Sequence, residues 1–266
     1  MLFIATAVTV AISLQNRKVC DMKRILLLSI LFVFCGTQAA AQVPEVRGRW
    51  FPLTGGDSLL VEYASPPGAL AYPAVLVLSD RFGQQENVRS MLKVLAQMGF
   101  HAYAPPLRSA PLRPVSGVPS FTYDSSDAEI ITQVAVDVMN REHCNGKIGL
   151  LALDAGAVVA IDMVRRFPFF QSAALLYPAG GLPVLERLLQ AQTVLQLHVA
   201  QFDPECSLEN VKKLRTQFIE AGRRLHVFYY KEAHRFFFNP EHERYHRKNT
   251  QTAWNKIMSL YRSTLR

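Results

Sequence analysis

Lys147-Ile148-Gly149-Leu150-Leu151-Ala152-Leu153-Asp154-Ala155-Gly156-Ala157 is the stretch that decides how this chain folds. After its lysine, the segment Lys147–Leu151 is apolar without interruption, the pattern of a strand covered on both faces. From Gly156 to Phe167 the apolar residues return at helical spacing. Four residues separate the two patterns, so the backbone must turn sharply from strand to helix. Small residues at 152, 156 and 157 let the two elements press together there. Asp154 is thereby thrown out at the N-terminus of the helix. A side chain held in that way is either a reactive group exposed on a tight turn or a helix cap, because an Asp suits the free N–H groups and the dipole of that terminus.

Outward from this point the same alternation repeats. Leu59–Tyr63, Ala74–Leu78, His101–Ala104, Ala173–Tyr177, Val194–Val199 and Leu225–Tyr230 read as further strands. Helical patterns cover Val88–Met98, Ser126–Glu142, Pro183–Ala191, Ser207–Ala221 and about Glu243–Thr264, with Ser126 and Ser207 as N-caps and Gly99 and Gly222 as stops. Such alternation predicts an α/β fold with a doubly wound, mostly parallel sheet and helices on both faces. Residues 105–119 hold five prolines and read as a loop at the C-terminal edge of a strand, the edge where ligands bind in such sheets.

Small-x-nucleophile-x-small at a strand-to-helix turn is the nucleophile elbow of α/β-hydrolases. Two more residues fall in the order that this fold uses. Asp203 follows the strand Val194–Val199, and His234 follows the strand Leu225–Tyr230. The mature chain resembles the dienelactone hydrolase family over about residues 47–265. The resemblance rests on Ala74–Gly83, on Met98–Pro105, on Lys147–Leu150 leading into the elbow, and on Tyr230–Phe236 around the histidine. It implies an α/β-hydrolase fold without a cap domain, with Asp154 at the nucleophile site, Asp203 as the acid and His234 as the base. Asp80 takes the place of the family's active-site glutamate, and Phe82 and Phe236 line the substrate pocket. The backbone N–H groups of Arg81 and Ala155 make the oxyanion hole. The sequence departs from the family where Asp154 replaces its cysteine and where Ala152 and Ala157 replace elbow glycines.

A carboxylate at that position can attack a carbon carrying a leaving group, after which an oriented imidazole activates water to hydrolyse the enzyme ester. The expected activity is therefore hydrolysis of a small ester, lactone or similar electrophile through an Asp-His-Asp triad, with no cofactor and no metal. The alternative is an inactive module that binds a small ligand or a protein partner. His242-Glu243-Arg244-Tyr245-His246 also spells H-E-x-x-H, a zinc-protease pattern, which the reading places on the last helix. No His, Asp, Glu or Cys follows His246, so a third ligand is not available downstream, and a chance match is the simpler account.

The first 41 residues stand apart. Met22-Lys23-Arg24, the apolar run Ile25–Phe34 and Ala39-Ala40-Ala41 read in order as a secretory signal peptide with translation starting at Met22, which makes residues 42–266 one exported domain, periplasmic or secreted. Phe34 before Cys35 argues against a lipid anchor, and nothing implies membrane insertion after cleavage. The formal charge of +8 falls to +5 once Arg17, Lys18, Lys23, Arg24 and Asp21 are removed. The positive charge gathers after Arg223, but no aromatic-interleaved basic groove accompanies it, so nucleic acid is not an expected partner. Cys144 and Cys206 fall at opposite strand ends and are expected to stay free thiols. N-terminal sequencing of the native product is expected to begin at Gln42, and an intact Met1 would overturn the signal-peptide reading.

Overall fold

In the computed structural model, which describes residues 43–53, 56–107 and 125–266, the strands are β1 (Arg47–Pro52), β2 (Ser58–Ala64), β3 (Tyr72–Leu78), β4 (His101–Ala104), β5 (Cys144–Leu153), β6 (Phe170–Leu176), β7 (Val194–Phe202) and β8 (His226–His234). The helices are α1 (Glu86–Gln97), α2 (Ser125–Met139), α3 (Asp154–Arg166), α4 (Gly181–Leu185), α5 (Leu208–Glu220) and α6 (Arg247–Thr264), with a 3-10 turn over Glu186–Gln190. All eight strands form one sheet in the order β1-β2-β4-β3-β5-β6-β7-β8. β2 runs antiparallel to β1 and to β4, and every pair from β4 to β8 is parallel. The fold is the expected α/β-hydrolase arrangement, built within residues 44–266.

The parallel strands are apolar almost throughout because both faces are covered. One face packs on α2, α3 and α5 through residues such as Ile131, Val159, Leu214 and Phe218, all buried. The other packs on α1 and α6 through Leu92, Leu95, Ile257 and Tyr261. The Tyr261 hydroxyl donates to the Leu150 carbonyl at 2.7 Å, so the last helix is tied to the central strand. Ser207 caps α5, its Oγ accepting the Asn210 N–H at 3.2 Å.

The turn from β5 into α3 is as tight as the small residues suggest. The Gly156 N–H donates to the Ser79 carbonyl at 3.0 Å. A Cβ on Gly156 would stand 2.3 Å from the Ser79 carbonyl oxygen and 2.5 Å from that of Leu78. Both are backbone atoms and cannot swing away, so only glycine fits. Asp154 has φ 48, in the left-handed region.

The structure differs from the sequence reading at several element ends. β1 is an additional edge strand. The segment Pro183–Ala191 divides into α4 and the 3-10 turn, and α6 begins at Arg247, because the His246 side chain caps it there. β5 and β8 each run longer than read, β8 by four residues to His234. Cys144 and Cys206 are free, half-buried and buried respectively. The proline-rich stretch beyond Leu107 and the segment read as a signal peptide lie outside the described residues. Among the described residues no helix is long and apolar enough to cross a membrane.

Gly156→Ala is expected to destabilise the fold by at least about 3 kcal/mol, since the extra methyl meets two carbonyls in a filled layer. Urea denaturation checks this, and a loss under about 1 kcal/mol would show that the turn can relax.

Candidate active site

β3, β5, β7 and β8 deliver Asp80-Arg81, Asp154, Asp203-Glu205 and Arg235 to one edge of the sheet, at the C-terminal ends of the strands. Asp154 is the first residue of α3, and its side chain is fully buried. It does not cap the helix. Its carboxylate is instead held by two guanidinium groups. Oδ2 accepts Arg81 Nε at 2.6 Å and the Arg81 backbone N–H at 3.1 Å, and Oδ1 accepts Arg81 Nη2 at 2.8 Å. Arg235 Nη2 donates to the same Oδ1.

Arg235 also connects the second carboxylate. Its Nη1 donates to Asp203 Oδ1 at 2.9 Å, and that oxygen also takes the N–H groups of Glu205 and Cys206 at 3.0 and 3.1 Å. Glu205 closes the ring, accepting Arg81 Nη2 at 3.1 Å and lying 3.6 Å from Arg235 Nε. Arg81 and Arg235 are thus interleaved with Asp154, Asp203 and Glu205. Three buried polar atoms among or beside these groups have no hydrogen-bond partner among the described residues: Asp203 Oδ2, Arg235 Nε and the hydroxyl of Tyr177.

Charge explains why the cluster is ordered this way. A buried carboxylate is costly unless it is paired and hydrogen-bonded. Burial works to raise the Asp154 carboxyl, but the hydrogen bonds from Arg81 and the charge of Arg235 overcome it and hold the group below the usual carboxylate range. Asp80 has no such pairing. Its carboxylate takes the Phe82 N–H at 3.0 Å and a long contact from Asn239 Nδ2 at 3.5 Å. Burial, with Asp154 nearby, pushes it up to about 6 in spite of the Phe82 N–H.

The three residues expected to form a triad are not brought together. Asp154 and Asp203 face one buried group, but that group is Arg235. His234 is the last residue of β8, exposed, and directly opposite Phe202 in the parallel register. Its ring packs on the Phe202 ring with centroids 4.8 Å apart and makes no hydrogen bond among the described residues. The reason is register. β7 is irregular between Ala200 and Phe202, and β8 continues to His234, so the residue that leaves the strand and turns inward is the next one. Glu232 and Phe236, at φ 58 and 68, set the bends on either side of it. The expectation that Asp203 steadies His234 is therefore corrected to an Asp203–Arg235 ion pair.

The N–H groups expected to form the oxyanion hole lie at this same edge of the sheet. The backbone N–H of Arg81 points into the site, but its acceptor is Asp154 itself. Ala155 is buried beside it. Asp80 is buried at the same edge, while Phe82 and Phe236 pack with ring centroids 5.1 Å apart, and the His242 ring lies tilted 4.8 Å from that of Phe236. Phe82, Gln85, Asn239, Glu241 and His242 border an open cavity of about 360 Å³ there.

His242, Glu243 and His246 lie in a turn ahead of α6 rather than on a helix, so the two imidazoles do not stand one turn apart on a common face. Each spends a ring nitrogen on the backbone. His242 Nδ1 accepts the Arg244 N–H at 3.1 Å and His246 Nδ1 accepts the Asn249 N–H at 3.3 Å.

Arg81, Glu205 and Arg235 are the site residues that the sequence reading missed as side chains. The signal for Arg235 was its place in Ala233-His234-Arg235-Phe236-Phe237. An arginine embedded in an apolar run is more costly to bury than a histidine, so its presence requires carboxylate partners nearby.

The profile of the dienelactone hydrolase family matches residues 60–265. Among solved structures the chain is similar to a putative dienelactone hydrolase from Klebsiella pneumoniae, at 17% identity over 80% of this chain and 97% of that one, with a TM-score of 0.68. A dienelactone hydrolase-like promiscuous phosphotriesterase from metagenomic libraries, P91, is 14% identical over 84% and 100%, at 0.66. An esterase from Pyrobaculum calidifontis is 18% identical over 83% and 87%, at 0.60. At these identities the likeness is one of fold. Among curated proteins none matches the sequence.

Because the folded-state carboxyl of Asp80 lies at about 6 against an ordinary 3.8, it withdraws stability as pH rises through that window, and the whole loss is present at pH 7. Asp80→Asn is expected to stabilise the protein at pH 7 by up to about 3 kcal/mol and by less at pH 5. Urea denaturation at the two pH values tests it, and a variant with the wild-type pH dependence would remove Asp80 as the titrating group.

Proposed function

The chain belongs to the dienelactone hydrolase family, a family of hydrolases, and we propose that it is a member in which the triad has given way to a buried ion-pair cluster, leaving a binding module rather than a hydrolase. The observation that carries this is the double clamp of Arg81 and Arg235 on Asp154, with Arg235 in place of an imidazole on Asp203.

Hydrolysis through this site lacks three requirements. A nucleophile needs a free lone pair aimed at the substrate, and both oxygens of Asp154 are committed to guanidinium donors. Deacylation needs a base to take a proton from water. Arg235 stays protonated throughout the working pH range and has no acceptor site, so it cannot act as one. His234 faces outward onto Phe202. The N–H that would stabilise an oxyanion is already used by Asp154. What remains is a fold that holds an aromatic rim, Phe82 with Phe236, over fixed charges, suited to a small ligand or to a segment of a protein partner. The signal-like order of residues 22–41 supports an exported protein acting in the periplasm or outside the cell, and no feature favours nucleic acid.

A panel of p-nitrophenyl esters and of styrene oxide tests the proposal. Wild type, Asp154→Ala and His234→Ala are expected to give no turnover above the protein-free rate. Turnover that disappears in Asp154→Ala would overturn the proposal and restore the aspartyl-ester mechanism. The double variant Asp154→Cys with Arg235→His removes one charge of each sign and puts a thiol against an imidazole on Asp203. It is expected to raise ester hydrolysis at least about tenfold over wild type, since a base-paired thiol is the activated form of this nucleophile.

A further inference from the structure

A second cavity lies at the other edge of the sheet. His101 and Cys144, the first residues of β4 and β5, open onto it. β5 runs from Cys144 to Leu153, so this cavity is roughly 30 Å from Asp154. Its volume is about 310 Å³, within the range of small-molecule sites.

One wall is aromatic. The rings of Tyr63 and Tyr103 are stacked, with centroids 5.5 Å apart and planes 16° from parallel. The polar groups are mostly donors. Arg49 lines the cavity and has no ion-pair partner among the described residues. Arg141 pairs with Asp137 through Nη2, its guanidinium lies 5.1 Å from the Phe51 ring centroid, and its buried Nε has no hydrogen-bond partner among the described residues. Tyr103 lines the cavity together with both arginines, and their charges oppose the rise that burial gives its phenol. The one carboxylate of the lining, Glu142, is exposed.

His101 does not compete for a ligand. Its Nδ1 meets Ser65 Oγ at 2.9 Å and its Nε2 meets the His143 carbonyl oxygen at 2.7 Å, so both ring nitrogens are occupied and the ring is part of the wall. Arginine donors left without acceptors, beside a phenol, call for an anion with oxygen acceptors in a plane. The stacked tyrosines call for a flat apolar body. We propose that this cavity binds a small aromatic carboxylate, its carboxylate toward Arg49, Arg141 and the Tyr103 hydroxyl and its ring along Tyr63.

Cys144 is half-buried in the same lining, whereas Cys206 is fully buried, so the Cys144 thiol reports on occupancy. The test uses sodium benzoate as the probe, with calorimetry and with the rate of Cys144 labelling by a coloured disulfide reagent. Cys144→Ser identifies the labelled thiol. Benzoate is expected to bind saturably and to slow Cys144 labelling. Benzyl alcohol, which keeps the ring without the charge, and phosphate, which keeps charge without the ring, are each expected to bind at least about tenfold more weakly. Arg49→Met, a change at an exposed edge-strand residue, is expected to weaken benzoate by about tenfold or more, the factor that losing one charge-assisted contact brings. Absence of saturation would overturn the proposal. So would benzoate binding that survives Arg49→Met and leaves Cys144 labelling unchanged, because the anion would then sit elsewhere.

Discussion

The contact on which this structure depends is a backbone lying on a backbone, Gly156 against the carbonyls of Ser79 and Leu78. It fixes the angle at which β5 turns into α3, and that angle leaves Asp154 no route to water. A carboxylate held at the buried edge of a sheet must find cations. Arg81 comes from the end of β3, the strand that the same contact presses against α3, and Arg235 comes from the turn after β8. The electrostatics of the site thus follow from a steric fact several residues away. The stability of such a cluster is conditional. Removing one partner of a buried pair typically costs about 3–5 kcal/mol, because the other charge is left stranded.

This also separates ancestry of form from chemistry. Strand order, the tight bend, the acid on the loop after β7 and the donor N–H at Arg81 are all parts of a hydrolase frame. The same frame with a guanidinium in place of an imidazole on Asp203 becomes an electrostatic tie. In the function proposed above, the identity of one buried side chain and the direction of another weigh more than the fold.

Most of the fold was legible in the sequence, since continuous apolar runs between helical patterns admit few arrangements other than a covered parallel sheet. The bend at Ala152–Ala157 was legible for the same reason, because small residues on both sides of one polar residue have few other uses. The site was legible only to within one residue at a decisive place. Periodicity ends the last strand at Tyr230, which leaves His234 in the loop beyond the sheet. The extension of β8 and the irregularity of β7 near Phe202 move that departure to Arg235. A shift of one position exchanges a side chain facing out for one facing in. The arginine within an apolar run hints at it, but the register itself depends on pairing with a strand about thirty residues earlier. The H-E-x-x-H spelling failed in a related way: residue spacing matched, but the segment is a turn, and spacing has its metal-binding meaning only on a helix.

The tie between Tyr261 and Leu150 has a consequence for how the molecule comes into being. One face of the central strand is sealed by residues among the last twenty of the chain, across a separation of more than a hundred positions. Until synthesis has passed that point, Leu151 and Leu153 have no cover on the α6 side, and no shorter N-terminal portion can close its own interior. The core of this fold therefore closes only once α6 has been made and has docked, a closure of high sequence separation.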